Sequence, residues 1–272
     1  MSTANTDRKL CLLREVLRTH APLVIAYSGG VDSAFLLAVA TETIGPACLG
    51  VIADSPSLPR QALQEALALA NEIGARVEVV GTEEMNDPNY TSNPVNRCYF
   101  CKAELFLRLD NLARERGFEA IAYGENADDA RQLRPGRKAA VEFSVLAPLK
   151  EVGLTKSEIR HLSRATKLPT ADAPAQPCLS SRISHGTPVT TAALAMIEHA
   201  EMIVRDLGFR IFRVRHHQQG DRPHARVEIS PDEMPRLDGL AESLESALRG
   251  LGYAEVVIDS RGYRSPVAEM TP

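Results

Sequence analysis

Short apolar runs alternate along the first half of the chain with longer segments whose apolar residues recur at helical spacing. The strand-like runs are residues 23–26, 47–53, 77–80 and 120–123. The helix-like segments include one with Leu63, Ala66, Leu67 and Ala70 on a single face, and another over about residues 101–116. This alternation is typical of βαβ units and predicts an α/β fold with a doubly wound, mostly parallel sheet.

The pattern changes in the second half of the chain. Residues 168–177 are rich in proline and alanine and are predicted to form a loop. Beyond residue 188 we predict a helix over 190–207, strands over 211–216 and 225–229, a helix over 232–249 and a strand over 254–258. We therefore expect a main domain of residues 1–170, a linker of residues 171–188 that carries Cys178, and a smaller α+β domain of residues 189–272.

A glycine turn, Ser-Gly-Gly-Val-Asp-Ser, joins the first predicted strand to the first helix of the sheet region. Backbone N–H groups of such a turn and the positive end of the helix dipole point to one spot, which suits a phosphate. The glycines permit close approach, the serines add hydroxyl donors, and the aspartate is either an N-cap or a Mg²⁺ ligand. The residues concerned are Ser28, Gly29, Gly30, Asp32 and Ser33. An ordinary strand-to-helix turn is the alternative, and the lysine of a Walker loop is missing.

Composition narrows the class of protein. The chain has 272 residues, of which 44% are hydrophobic and 24% charged, as in globular proteins. No apolar stretch is long enough to predict a membrane span. The net charge of −4 gives no global reason to bind nucleic acid. The first residues lack the basic and apolar regions of a signal peptide, so we expect a cytoplasmic location.

The cysteines suggest sulfur or metal chemistry. Cys98 and Cys101 form a CxxC before a helix, which fits a redox pair, half a zinc site, part of an iron–sulfur site, or two unrelated thiols. Only one CxxC is present, which excludes a four-cysteine zinc ribbon. Cys178 lies near an arginine, a setting that favours the reactive thiolate. The other cysteines, expected to be small buried residues of the first helix and the second strand, are Cys11 and Cys48.

A phosphate-binding loop together with reactive cysteines points to sulfur transfer. Adenylation of an oxygen converts a poor leaving group into AMP, which a sulfur nucleophile can then displace. Three cysteines around a [4Fe–4S] cluster would also leave one iron open to hold a sulfide.

The glycine turn resembles the pyrophosphate loop of the N-type ATP pyrophosphatases, which include GMP synthetase, NAD synthetase and tRNA thiolases. A longer series of motifs, spanning about residues 20–230, resembles the LarE family. The motifs are residues 28–33, 54–59, 96–102, 126–129, 134–136, 154–160, 177–182 and 212–217.

This resemblance implies an enzyme that uses ATP and Mg²⁺. LarE proteins convert pyridinium-3,5-biscarboxylic acid mononucleotide to the bisthiocarboxylic acid, a precursor of the nickel-pincer nucleotide of lactate racemase. Two sulfur sources occur in the family. Either the cysteine matching Cys178 gives up its own sulfur, or the cysteines matching Cys98, Cys101 and Cys178 hold a [4Fe–4S] cluster with an extra sulfide. The presence of all three favours the cluster, and the resemblance also implies a homo-oligomer.

Polar residues after two other strands complete the expected nucleotide site. Ser55 and Ser57 are predicted to meet the adenosine, unless they only stabilise a proline-containing turn. Asn126 and Asp128 are predicted to hold Mg²⁺ or ribose, unless they cap a short helix.

A basic cluster marks the smaller domain, with five arginines and three histidines between Arg210 and Arg226. Arg213 and Arg215 alternate with apolar residues, so both guanidinium groups should share one face of a strand. A guanidinium fork suits phosphate or carboxylate, although a solvated basic face is the alternative. The resemblance assigns substrate-phosphate contacts to Arg213 and Arg215, and it makes Glu201 a candidate partner and Arg182 another anion contact. The acidic residue expected after the second strand is Glu228 or Asp232.

Departures from the family pattern concern substrate recognition. Ala171 replaces an expected aromatic residue, Ser184-His185-Gly186 replaces proline-tyrosine-glycine, and residues 218–223 lengthen a loop. Two other functions remain open at this point. A tRNA thiolase should carry a basic RNA-binding module, and a non-catalytic metal or nucleotide sensor should not release pyrophosphate from ATP. The donor that would reload the sulfur stays unassigned.

Overall fold

The computed structural model describes residues 3–131, 135–220 and 222–263. The chain forms two compact units. The first comprises Met1–Tyr90 and Asn96–Gln176, and the second comprises Thr91–Val95 and Pro177–Pro272. Arg134 of the motif 134–136 and Asp221 of the loop 218–223 lie outside the described residues. The three-part division into domain, linker and small domain stays a prediction.

A parallel sheet forms the centre of the first unit. Its strands are β1 (Leu23–Ala26), β2 (Cys48–Asp54), β3 (Val77–Gly81) and β4 (Ala120–Tyr123), in the order β3-β2-β1-β4. The α-helices described up to the end of this unit are α1 (Thr3–Thr19), α2 (Val31–Ile44), α3 (Arg60–Glu72), α4 (Pro88–Thr91), α5 (Arg97–Arg116), α6 (Gly136–Glu142), α7 (Pro148–Glu151) and α8 (Lys156–Ala165). The predicted α/β class and all four predicted strands are confirmed.

Both faces of this sheet are covered, which explains why its strands are almost entirely apolar. Leu23 and Ile25 pack into a core that includes residues of α1, α2, α3 and α8. Val24, which points to the opposite face, packs into a second core with residues of α5 and α6. The alternation along β1 therefore separates two layers of helices, as a doubly wound sheet requires.

The parallel order brings the carboxyl ends of β1, β2 and β4 to one edge of the sheet. The segments that follow these strands are residues 27–30, 55–59 and 124–127. Ligands of open α/β sheets bind at this edge, so the predicted nucleotide-site residues of the three segments lie where the fold favours a ligand.

The second unit has a smaller, mixed sheet, which confirms the predicted α+β class. Its strands are β5 (Phe212–Gln219), β6 (Arg222–Ile229) and β7 (Glu255–Ile258), with β5–β6 antiparallel and β6–β7 parallel. One face of the sheet packs on α9 (Thr191–Asp206) and α10 (Ala241–Gly250). The opposite face carries mostly polar side chains, among them four arginines of the predicted basic cluster, Arg213, Arg215, Arg222 and Arg226.

The helix predicted over residues 232–249 is shorter than expected. A 3-10 turn, Met234–Leu237, precedes α10, and Gly239 between them has a φ of 82°. That left-handed conformation ends one helical segment before the next begins. None of the described helices is long and apolar enough to cross a membrane.

Candidate functional site

The loop after β1 is closed by its two serines. Ser33 Oγ accepts a hydrogen bond from Ser28 N at 3.2 Å, lies 3.0 Å from Ser28 Oγ, and donates to Gly30 O at 3.1 Å. Gly30 is the N-cap of α2, so the suggestion that Asp32 caps the helix is wrong; Asp32 lies within the first helical turn. The loop therefore surrounds the N-terminus of α2, as an anion site of this kind requires.

Two glycines allow the backbone of this loop to pack closely. Gly29 has a φ of 73°, and a Cβ at this position would lie 2.8 Å from Ala66 Cβ. Gly124, directly after β4, would place a Cβ 2.8 Å from Ser33 N and 3.0 Å from Ser33 Cα. A larger residue at either position would displace the backbone that forms the site.

Asp32, at the start of α2, is a carboxylate at the carboxyl edge of the parallel sheet. Its Oδ2 accepts hydrogen bonds from Lys156 Nζ at 2.8 Å and from Asn126 Nδ2 at 3.3 Å. Its Oδ1 is buried and has no hydrogen-bond partner among the residues that the structure describes. A buried carboxylate oxygen without a donor is costly unless a cation or ligand occupies its lone pairs. The donor set therefore fits Mg²⁺, which prefers carboxylate and phosphate oxygens.

Lys156 is a site residue that sequence reasoning quoted in a motif but left without a role. It begins α8, whose N-terminus has a capping box made by Thr155 and Glu158. The backbone N–H of Lys156 donates to Asp128 Oδ2 at 2.8 Å. The Thr-x-x-Glu spacing was a readable signal for this helix. The contact with Asp32 was not readable, because the two residues are far apart in sequence.

Asn126 and Asp128 shape the loop after β4. Asn126 Oδ1 accepts the backbone N–H groups of Asp128 at 2.9 Å and Asp129 at 3.2 Å. These bonds leave the Asn126 amide group directed at Asp32. The structure therefore brings Asp32, Asn126, Asp128 and the unpredicted Lys156 into one connected polar group.

Ser55 and Ser57 are buried beside each other after β2, with their Oγ atoms 2.8 Å apart. Arg60 closes this turn by an ion pair with Asp54 at 2.6 Å and a hydrogen bond to Ser55 O at 2.8 Å. These contacts hold the turn in its shape, and the predicted role of the two serines toward adenosine stays a prediction.

Sequence reasoning missed a buried carboxylate next to this group. Glu125 Oε1 accepts hydrogen bonds from Arg137 Nε at 2.8 Å and Lys150 Nζ at 3.3 Å, and Tyr123 donates to its Oε2. Burial by itself would raise the pKa of Glu125, but these donors and positive charges outweigh it and lower the pKa. Glu125 is therefore held ionised, and it fixes the start of the loop that contains Asn126.

The CxxC lies within the first two turns of α5, which begins at Arg97, so the prediction that it precedes the helix is wrong. Cys98 is exposed and Cys101 is partly buried. Cys48 is buried as predicted, and burial raises its thiol pKa to about 12, which makes it inert. Cys11 is exposed, so the expectation that it is buried is wrong. The buried side of α1 carries Leu13 and Leu17, and Cys11 lies off that face.

Cys178 belongs to the second unit and is half-buried at the start of a 3-10 turn, Leu179–Arg182. Cys98 and Cys101 belong to the first unit. Within the described ranges, no three His, Cys, Asp or Glu side chains are grouped as metal ligands. The three thiols are nevertheless the donors that iron–sulfur clusters use, so the chemistry of the donor set fits such a cluster.

Arg182 is buried and fully engaged. Its Nε and Nη2 each donate to a carboxylate oxygen of Glu201 at 2.9 Å, and its Nη1 donates to Pro177 O at 2.6 Å and Cys178 O at 3.1 Å. Glu201 also accepts the backbone N–H of Val214 at 3.1 Å. This fork ties the backbone around Cys178 to α9 and β5. The predicted contact of Arg182 with substrate phosphate stays a prediction.

Arg213 and Arg215 share one face of β5, as predicted. Arg215 donates from Nε to Glu228 Oε2 at 3.0 Å and from Nη1 to Ser181 O at 3.1 Å. Arg213 donates to Phe212 O at 2.6 Å and lies over the ring of Tyr263. Burial, followed by the nearby charge of Arg182, lowers the pKa of Arg213.

The polar face of the second unit contains a cavity of about 290 Å³. Its lining residues are Ser181, Arg182, Ile183, Ser184, His185, Arg215, His217, Arg226, Glu228, Asp259, Arg261 and Gly262. Of the two acidic candidates, Glu228 lines the cavity, whereas Asp232 is exposed and is not among the lining residues. His216 of the basic cluster points to the core instead, where its Nδ1 lies 3.3 Å from Tyr253 Oη.

A buried asparagine, Asn93, supports one wall of this cavity and was not foreseen. Its Nδ2 donates to Ser184 O and Thr187 O, both at 2.8 Å, and its own carbonyl accepts the N–H of Gly186 at 3.0 Å. The short segment Thr91–Val95 thus completes the second unit from a distant part of the sequence.

Known proteins resemble the chain over nearly its full length, although no family model matches it. An uncharacterised protein of Synechocystis sp. is 40% identical over 261 residues, which cover 95% of this chain and 96% of the relative. The pyridinium-3,5-bisthiocarboxylic acid mononucleotide synthase of Lactiplantibacillus plantarum is 29% identical over 263 residues, or 96% of this chain and 94% of that enzyme. The chain belongs to the LarE family. An uncharacterised protein of Methanocaldococcus jannaschii, 26% identical over 95% of this chain and 98% of its own length, is a further relative.

Membership of the LarE family confirms the resemblance drawn from the motifs and the prediction that the chain is an enzyme. Both the parallel sheet and the smaller mixed sheet agree with the fold expected for this family.

Proposed function

We propose that this protein is an ATP-dependent sulfur transferase that acts on pyridinium-3,5-biscarboxylic acid mononucleotide. Each carboxylate oxygen attacks the α-phosphorus of ATP, and pyrophosphate leaves. A sulfur nucleophile then attacks the carboxyl carbon of the adenylate, and AMP leaves. The observation that carries the proposal is the buried Oδ1 of Asp32, which has no hydrogen-bond partner among the described residues and lies in the first turn of α2 beside a backbone anion loop, in a chain related to the bisthiocarboxylic acid synthase.

The first unit would bind ATP at the carboxyl edge of its sheet. The N–H groups at the start of α2, with Ser28 and Ser33, would hold the pyrophosphate end of the nucleotide. Ser55 and Ser57 would face the adenosine. Lys156, now paired with Asp32, is close enough to the loop to offset phosphate charge when ATP binds.

Asp32 would hold Mg²⁺ through its buried Oδ1, and Asp128 is the other candidate carboxylate at this edge. Asn126, whose Oδ1 already accepts two loop N–H groups, would orient Asp32 through its amide N–H. Bound Mg²⁺ would neutralise charge on the pyrophosphate that leaves. The role of the protein residues is to keep these oxygens fixed, which the bonds from Lys156 and to the loop N–H groups support.

The second unit would bind the substrate nucleotide and present the sulfur. Its cavity is lined by four arginines, Arg182, Arg215, Arg226 and Arg261, which suit a phosphorylated dicarboxylate. Cys178 lies at the start of the 3-10 turn that continues into this lining.

For the sulfur source we propose a [4Fe–4S] cluster held by Cys98, Cys101 and Cys178. Such a cluster would supply a sulfide bound at the iron without a protein ligand. The exposure of Cys98 and the partial exposure of the other two thiols support their availability as ligands. The alternative is that Cys178 alone donates its own sulfur. We also expect a cytoplasmic homo-oligomer, as the resemblance implies.

The test of the function is a product assay. Anaerobically reconstituted protein is incubated with ATP, Mg²⁺, sulfide and the dicarboxylate nucleotide, and pyrophosphate and the mass of the nucleotide are measured. We expect pyrophosphate release that depends on the nucleotide, and exchange of oxygen for sulfur at each carboxylate. Release with bulk tRNA instead, and thiolated tRNA as the product, would identify a tRNA thiolase. Absence of release with either substrate would indicate a sensor.

The test of the sulfur source is the iron and acid-labile sulfide content of the reconstituted chain. We expect about four of each per chain, lost when Cys98, Cys101 or Cys178 is replaced by alanine. Cys11→Ala is the matched control, because Cys11 is an exposed cysteine outside the proposed ligand set. Cys178→Ala should also stop thiolation but retain pyrophosphate release. No bound iron, together with Cys178-dependent thiolation, would return the role to Cys178 alone.

A further inference from the structure

Two arginines face each other across the antiparallel strands of the second unit. Arg215 of β5 is the direct register partner of Arg226 of β6, so their side chains lie on the same face of the sheet. Like charges in directly opposed positions disfavour a sheet. An arrangement of this kind therefore needs a negative partner close to both guanidinium groups.

Glu228 supplies only part of that negative partner. This buried carboxylate accepts Arg215 Nε on Oε2 at 3.0 Å and Arg226 Nη2 on Oε1 at 2.9 Å. Asp259 lies farther from Arg226, with Oδ2 3.8 Å from Nε, and is mainly occupied by Arg261. One glutamate thus holds two guanidinium groups side by side.

Within the described part of the chain, both guanidinium groups keep donors that no protein atom accepts. Nη2 of Arg215 and Nη1 of Arg226 have no hydrogen-bond partner among the residues within 3–131, 135–220 and 222–263. Both arginines line the cavity of about 290 Å³, together with Arg261 and the half-buried His217. Arg213 is not among the lining residues.

We propose that Arg226, paired with Arg215 across the sheet, is a further arginine that binds the phosphate monoester of the substrate nucleotide. The inference rests on the proposed function for the identity of the ligand, and it adds Arg226 to the phosphate contacts predicted for Arg213 and Arg215. Two guanidinium groups on different strands match a tetrahedral dianion with three terminal oxygens, whereas a flat carboxylate is satisfied by a single fork. The cavity is at the small end of ligand sites, which suits one end of a nucleotide.

The test uses the full chain and two commercial probes, nicotinic acid mononucleotide and nicotinic acid riboside, which differ only in the phosphate. Affinities are measured by calorimetry for the wild type, Arg226→Gln, Arg226→Lys and Arg213→Gln. Arg222→Gln is the matched control, because Arg222 is an exposed arginine of the same strand that does not line the cavity.

Arg226→Gln should weaken mononucleotide binding by about tenfold to a hundredfold and leave riboside binding unchanged. Arg226→Lys should recover part of the loss, and Arg213→Gln should cost less than Arg226→Gln. Wild-type affinity of Arg226→Gln for the mononucleotide would overturn the proposal. Equal losses of affinity for both probes would also overturn it, because the two arginines would then bind a group other than the phosphate, or the substitution would have disturbed the second unit.

These outcomes are separable from failure of the proposed function. Binding of the mononucleotide is measured without ATP or sulfur, so a phosphate site can be established even if the product assay finds no thiolation. Conversely, thiolation by the wild type with an unchanged KM in Arg226→Gln would retain the function and reject Arg226 as the phosphate ligand.

Discussion

The candidate anion site of the first unit is built from backbone, whereas that of the second unit is built from long side chains. In the first, the donors are the N–H groups at the start of α2, and Gly29 and Gly124 allow the close packing that presents them. In the second, arginines of β5, β6 and the 3-10 turn Leu179–Arg182 line a cavity, and Glu228 and Glu201 hold them in place.

This difference determines how each site responds to its ligand. A backbone site carries little net charge, so a cation must balance the charge of a bound polyphosphate. The buried Oδ1 of Asp32, which has no partner among the described residues, would bind that cation. The second site is lined by four arginines and two carboxylates, so it is positively charged before a ligand binds and suits a ligand that brings its own negative charge. The first arrangement fits ATP with Mg²⁺, and the second fits an anionic nucleotide without a metal.

Asp32→Asn should give the largest effect, because it removes the charge that would bind Mg²⁺ while keeping the size of the side chain. We expect nucleotide-dependent pyrophosphate release to fall by more than about a hundredfold. Asp172→Asn is the control, since Asp172 is exposed and forms only a surface ion pair with Arg164. Near-normal release in Asp32→Asn would mean that the first site does not depend on this carboxylate.

Arg182→Lys tests the anion site of the second unit at Arg182, which is a buried arginine of the cavity lining. A lysine keeps the charge but cannot satisfy Glu201 and the carbonyls of Pro177 and Cys178 together. If Arg182 positions Cys178, kcat for thiolation should fall by about a hundredfold, with adenylation and KM for the nucleotide retained.

A rise in KM with unchanged kcat would instead support the predicted contact of Arg182 with substrate phosphate. Arg249→Lys, at an exposed arginine of α10, controls for the exchange of one basic residue for another. In this control, kcat for thiolation and KM for the nucleotide should both match the wild type.

The backbone site could be predicted from the sequence, because its signals lie within short windows. Ser28–Ser33 follows an apolar strand and precedes a helix, and the same local reasoning located all four parallel strands. The contact between Lys156 and Asp32 joins residues that are 124 positions apart, so no local pattern contains it. Glu228 likewise acquires its role only when β5 and β6 are paired in register.

One error had a readable signal. Helical spacing in α1 separates Cys11 from Leu13 and Leu17, so the periodicity already indicated that Cys11 lies off the buried face. The same kind of signal was available for a residue whose orientation was left open, because strict alternation along β5 places His216 with Phe212 and Val214 on the core face.

Gly124→Ala should reduce activity less than the substitutions at Asp32 and Arg182. It tests whether the backbone anion site of the first unit needs the close packing that Gly124 allows. The new methyl group would meet Ser33 N and Cα, which cannot move without shifting the start of α2. We expect a loss of about 1–3 kcal/mol in the free energy of unfolding and weaker ATP binding. Gly81→Ala is the control, because a Cβ there meets nothing within 4 Å. Equal stability of the two variants would show that the close approach is not needed.

The smallest expected effect is on the pH dependence of the stability of the second unit, through the buried His216. Burial lowers the pKa of His216, so this imidazole is neutral when folded and is protonated more readily in the unfolded chain. Its contribution to stability is therefore complete above the unfolded value of about 6.5 and is lost as the pH falls below it. Chemical denaturation at pH 7.5 and 5.5, values chosen about one unit either side, should show a smaller decrease for His216→Gln than for the wild type. The same decrease in both proteins would assign the pH dependence to other groups, beginning with His217, whose pKa is also lowered by burial and then by Arg226.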